Sequence, residues 1–111
     1  MNRTTSILIL ALAALLEAGG DAVVRSGIHS SAPAMRTALL MLGAVVLFTY
    51  GWTVNAPPWD FGKLLGLYVV FFFIAAQLIS WLVFAQPPNR AVLIGGALII
   101  TGGTVIAVNA T

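Results

Sequence analysis

Three charged side chains recur at helical spacing in the stretch LLEAGGDAVVR: Glu17, Asp21 and Arg25. Steps of four residues place them along one stripe of an α-helix. Ten apolar residues, Ile7 to Leu16, run directly into Glu17. At a rise of about 1.5 Å per residue, Glu17 lies roughly 18 Å beyond Thr5. That is near the middle of a hydrocarbon layer about 30 Å thick. An ionisable group at such depth is costly and marks a functional site by default. A carboxyl there holds a proton or, once ionised, an organic cation. Asp21 lies about one turn nearer the surface, and Arg25 one turn further, within snorkelling reach of the interface. Asp21 and Arg25 are expected to pair locally at the helix end, as a secondary polar site beside Glu17. Gly19 and Gly20 leave room for close approach of another helix or a ligand beside the acid.

The rest of the 111-residue chain explains the setting. It is 60% apolar and 7% charged, whereas soluble domains carry about 25% charged residues. Lipid must therefore be its main solvent. Net charge is +2 and cysteine is absent, so disulfides and thiolate metal sites are excluded. Five scattered cations make no basic run or basic-aromatic patch, which argues against nucleic acid. His29 has no second His or Cys to share a metal with, and Ser80 has no candidate base near it in sequence. No nucleophile–base pair, phosphate-binding loop or carboxylate cluster of metal spacing is visible. The chain reads as a non-enzyme that needs no cofactor and no metal.

The fold class that follows is an all-α membrane protein. A transmembrane helix needs about 20 mostly apolar residues, and four candidates appear, at about 5–24, 36–54, 62–85 and 91–110. These runs are too long for the roughly ten-residue alternating strands of a membrane barrel. Between them lie SGIHSSAPA, NAPPWDFG and QPPNR, two of which carry a Pro-Pro pair that blocks helix continuation. The connections are short, so neighbouring helices are antiparallel, and the whole chain 1–111 reads as one four-helix domain. Four spans put Arg3 and Lys63 on one side and Arg25, Arg36 and Arg90 on the other. Orientation follows the Lys and Arg imbalance between sides. Two against three leaves two readings open: a single orientation, or dual topology with copies pairing antiparallel as a homodimer.

Two further helices carry marked side chains. In the fourth, Gly95 and Gly102 are seven residues apart, as are Gly96 and Gly103. They keep a smooth strip for close helix packing, within the chain or between copies. Thr101 and Thr104 can return their hydroxyls to the backbone. The third helix is dense with aromatics, among them Tyr68, Phe72 and Trp81, which fall roughly on one side. An aromatic wall facing a carboxylate suits an organic cation through cation–π attraction. Most of these rings are expected to serve packing and lipid contact, with Tyr68 as the pocket candidate.

The order of these features resembles a known family. Four short helices, LEAGGDAVVR with Glu17, Gly20 and Arg25 at the family spacing, and LISWLVFAQ followed by LIGGALIITGGTVI resemble the small multidrug resistance superfamily. LFTYGW and PPWDFGKLLGLY are similar to its YnfA-like branch. The similarity runs over nearly the whole chain. It implies proton-coupled efflux of small organic cations across the bacterial inner membrane by an antiparallel dual-topology homodimer. Glu17 of each copy would share one chamber, binding proton and cation in turn. The resemblance also implies that Tyr68 lines the chamber and that Gly95, Gly96, Gly102 and Gly103 pack the dimer. The substrates it suggests are quaternary ammonium, guanidinium-like or polyamine cations. Two departures stand out. YVVFFF occupies the place of the small-residue hinge in helix three, and Asp21 adds a second acid. They motivate an alternative: a non-transporting small membrane subunit, or a heterodimer partner, packed in a larger membrane complex.

Overall fold

The computed structural model describes residues 1–109, and for Asn109 the backbone alone. Four helices follow one another: α1 (Arg3–Ile28), α2 (Pro33–Val54), α3 (Phe61–Phe84) and α4 (Arg90–Asn109). Each is long and apolar enough to cross a membrane. The expected end of the fourth span, Ala110, lies outside the described residues.

The chain sets each boundary locally. The Asn2 side chain caps α1 by accepting from Thr5 N–H at 2.7 Å, as short polar residues do at helix starts. The helix runs past the expected stop at residue 24 to Ile28. Arg25 in its last turn is favourable to the negative end of the helix dipole. Pro33 opens α2, where a missing N–H costs nothing. At its far end Asn55 Nδ2 donates to the Gly51 carbonyl at 2.8 Å. The α3 helix stops at Phe84, one residue before the expected 85, because Ala85 takes the left-handed conformation with φ 54°. Its N–H and that of Gln86 both turn back to the Ser80 carbonyl, and Pro87 and Pro88 forbid continuation. Asn89 caps α4, its Oδ1 accepting from Val92 N–H at 2.9 Å.

Packing makes α1 the central element. It lies against α2 and α3; α3 in turn carries α4, and Arg3 at the start of α1 donates to the Ala107 carbonyl of α4 at 3.1 Å. The layer is flattened, 48 × 34 × 19 Å. The core is thin: Leu10, Ala13, Ala14 and Ala18 of α1 meet Val54 of α2 and Leu64, Leu67, Tyr68 and Ala75 of α3. Small residues on α1 bring the backbones close, and long apolar side chains point outward, including Leu12, Phe48, Leu82 and Leu98. An apolar exterior over so small a core suits lipid rather than water.

Two glycine seams fix the helix pairs. Gly20 of α1 lies under Leu47 and Val46, and Gly43 of α2 lies under Val24. A Cβ at Gly20 would stand 2.7 Å from Leu47 Cδ2, closer than any ordinary contact. On the other side, Gly96 and Gly103 of α4 accept Phe73 and Val70 of α3. The four-glycine strip expected to pack a dimer is thus divided. Gly96 and Gly103 are used within the chain, and Gly95 and Gly102 face open space. The reason is the 100° step between adjacent residues, which turns each member of a Gly-Gly pair to a different side. Thr101 and Thr104 return their hydroxyls to the carbonyls of Ala97 and Ile100 at 2.7 Å each.

Candidate functional site

Glu17 sits 14 residues from Arg3 and 11 from Ile28 within α1. At about 1.5 Å per residue this is close to mid-helix. Its side chain is half-buried and turned toward α3. There the Tyr68 hydroxyl donates to Glu17 Oε1 at 2.8 Å. The Tyr68 hydroxyl oxygen also lies 3.3 Å from the Ala13 carbonyl oxygen, so the phenol spans one full turn of α1. Tyr68 is 4% exposed. A buried phenol of this kind needs a polar partner, and the carboxyl supplies it.

The ring of Tyr68 belongs to an aromatic row. Tyr50 of α2 lies 5.7 Å from it between centroids, tilted by 33°. Phe72 of α3 lies 6.3 Å away on the other side. Tyr50 also interacts electrostatically with Glu17. Both tyrosines of the chain therefore converge on one carboxyl. Tyr68 was expected there. Tyr50 was visible only as part of the LFTYGW resemblance, with no role. The signal available for it is general: a tyrosine inside an apolar span must find a partner for its hydroxyl. Trp81, expected to share the face of Tyr68 and Phe72, is instead exposed and borders a groove with Phe73 and Gln77. Nine residues beyond Phe72 is two and a half turns of helix, which puts Trp81 on the opposite side.

Chemically, a half-buried carboxyl with one phenol donor and aromatic faces can hold a proton or a cation. The hydroxyl satisfies one acceptor position of the ionised acid, and ring faces attract a cation at close range.

Of the two approaches expected beside the acid, Gly20 admits a helix, α2, while Gly19 opens onto a groove with Ala22, Val23, Ser26, Leu39, Ile79 and Val83. The expected Asp21–Arg25 ion pair is absent among the described residues. Among the described residues the ion pair within 4 Å is Lys63–Asp60, at 3.8 Å. The Arg25 guanidinium lies over the Phe84 ring instead, 5.4 Å from its centroid. Magnitudes account for the choice. An exposed ion pair one turn apart on a helix contributes about 0.3–0.5 kcal/mol. A cation–π contact contributes about 0.5–1 kcal/mol when exposed and about 2 when desolvated. Asp21 and Arg25 both line one cleft, with Ala18, Phe72, Ser80, Phe84 and Gln86.

Comparison with known proteins agrees with this membrane architecture. The model of a family described as "Uncharacterised BCR, YnfA/UPF0060 family" matches residues 3–111. A UPF0060 membrane protein of Herpetosiphon aurantiacus is 31% identical over 68 residues, which cover 60% of this chain and 62% of the relative. The aligned part thus spans less than two thirds of the curated relative it matches. No solved structure matches. The family match extends over all four helices, and the chain belongs to the YnfA/UPF0060 family of membrane proteins.

Proposed function

We propose that the protein is a proton-coupled exporter of small organic cations. In this reading it works as an antiparallel, dual-topology homodimer of the small multidrug resistance type in the bacterial inner membrane. The observation that carries the reading is the 2.8 Å hydrogen bond from Tyr68 to Glu17 at mid-helix, inside an aromatic row. An acid kept at that depth and half-buried without a cationic partner is poised for exchange rather than for structure. Occupancy is exclusive: a cation needs Glu17 ionised, and a proton neutralises it. Proton influx thereby drives cation efflux, and cation binding weakens as pH falls. Two antiparallel copies supply the inverted symmetry that other transporters encode within one chain. The open face of α4 at Gly95 and Gly102 is available for the contact between copies.

One observation favours a second reading, a non-transporting subunit or heterodimer partner. The α3 helix is unbroken over 24 residues, and Val70 and Phe73 are interlocked with the glycines of α4. No small-residue bend interrupts YVVFFF. Uptake into proteoliposomes across a panel of quaternary ammonium, guanidinium-like and polyamine cations separates the two. Under the export reading, a proton gradient drives accumulation of at least one class, and Glu17→Gln abolishes it while the protein still folds. Transport by Glu17→Gln at the wild-type rate would sink the exchange mechanism. No cation-dependent proton movement, with a fixed partner co-purifying, would establish the subunit reading.

A further inference from the structure

A second polar feature of the molecule is not used by the exchange at Glu17. Between α1 and the end of α3 lies a cleft of about 260 Å³. One acid, Asp21, and one base, Arg25, stand on its α1 wall, one turn apart. Phe72, Phe84, Ser80 and Gln86 form the α3 side. Among the described residues neither Asp21 nor the Arg25 guanidinium has a hydrogen bond or ion-pair partner. The Arg25 guanidinium rests over the Phe84 ring, 5.4 Å from its centroid, and not on Asp21. The lower part of the cleft is fixed in shape. Ala85 is left-handed, and Ser80 Oγ donates to the Gln86 carbonyl at 3.1 Å.

We infer that this cleft binds a small zwitterion, its ammonium group at Asp21 and its anionic group at Arg25. Charge decides the class. A simple cation satisfies Asp21 but leaves the five guanidinium donors of Arg25 unused, and a simple anion does the reverse. One molecule carrying both charges satisfies both residues. The guanidinium fork matches a carboxylate with two parallel hydrogen bonds, and the Phe72 ring offers a face to the ammonium. Side chains one turn apart have Cβ atoms about 5–6 Å apart, so the ligand's charges are separated by a few carbon atoms, as in an ω-amino acid. The cleft is smaller than the roughly 300–1,000 Å³ of drug-sized pockets, which favours a metabolite of this size.

Depth separates a dissolved zwitterion from a lipid headgroup of the same chemistry. Asp21 is nearer the middle of α1 than Arg25, so the ammonium end enters first. In phosphatidylethanolamine the phosphate is the end tethered to the acyl chains, the opposite order. The site belongs to a dissolved zwitterion, and it does not depend on transport at Glu17.

Calorimetric titration of the purified protein in phosphatidylglycerol nanodiscs tests the assignment. The probes are β-alanine, γ-aminobutyrate and glycine betaine, with butylammonium and butyrate as single-charge halves of γ-aminobutyrate. At least one zwitterion is expected to bind tenfold or more tightly than either half. This comparison uses the wild-type chain alone. Asp21→Asn and Arg25→Gln are each expected to reduce that advantage below threefold, with the unfolding midpoint in detergent unchanged. Glu17→Gln retains zwitterion binding even if export is lost, so the two readings fail separately. No binding by any of the three zwitterions at millimolar concentration overturns the proposal. So does equal binding of butylammonium, or an advantage that survives in both folded variants. Adding phosphatidylethanolamine to the discs leaves the affinity unchanged; a tenfold weakening would give the cleft to the headgroup instead and overturn the assignment.

Discussion

Glu17 and Asp21 are the same kind of side chain, one turn apart on one face of α1, and they meet different surroundings. Glu17 is half-buried and receives the Tyr68 hydroxyl. Asp21 is exposed to a cleft and receives nothing from Arg25. The difference comes from α3, which runs past both acids but presents a phenol at one level and, further along, a ring that attracts the arginine. What an acid on a membrane helix does is set by the helix opposite. Spacing along its own helix brings the candidates to one face and no further.

Removing the carboxylate at the first site has the largest expected effect. Under the proposed export mechanism, gradient-driven cation uptake in proteoliposomes falls to background in Glu17→Gln, more than about 100-fold, as the loss of a proton-exchanging group would require. Tyr68→Phe deletes the hydroxyl and keeps the ring. A hydrogen bond to a charged group contributes about 1.5–3 kcal/mol, so uptake is expected to fall about 10–100-fold at a tenfold change per 1.4 kcal/mol. A change within twofold would mean that the phenol serves packing alone.

The glycines beside the two acids give effects of opposite sign. Gly20→Ala drives a Cβ into Leu47 and is expected to destabilise by about 1–3 kcal/mol, the usual cost of overpacking. Gly19→Ala meets nothing within 4 Å and gains about 0.5–1 kcal/mol from helix propensity. Thermal unfolding in detergent reads both, and equal shifts would break the distinction between a packed face and an open one. The smallest effect concerns the second acid. A double-mutant cycle on Asp21 and Arg25 is expected to show no coupling in the wild-type background. Replacing Phe84 by Leu frees the guanidinium, and the same cycle then gives about 0.3–0.5 kcal/mol. Coupling already present with Phe84 in place would contradict the contact geometry.

Much of the architecture was legible in the residues. The four apolar runs and the Pro-Pro pairs between them located the helices within a few residues. The errors were at the ends, where Arg25 and Ser26 continue α1 and Ala85 turns left-handed. Polarity suggests where a helix leaves lipid; hydrogen bonds determine where it stops. Glu17 and Tyr68 could be singled out because a polar group in an apolar run is rare and must be satisfied. Tyr50 could not be placed beside them, since its approach depends on how α2 lies across α1. The glycine strip shows the same limit. Its period predicted close packing, and the rotation of α4 decided that Gly96 and Gly103 serve α3 and Gly95 and Gly102 remain open.

By itself, then, the sequence determined the apolar character, the four helices long enough to span a membrane and the position of one acid along its helix. These follow from composition and from a fixed rise per residue. The tertiary structure alone decided which residues face one another: Tyr68 with Glu17, Phe84 with Arg25, Leu47 with Gly20. The physical reason is that periodicity places a side chain on a face of its own helix, whereas a partner on another helix is fixed only by the rotation and offset at which the two helices pack.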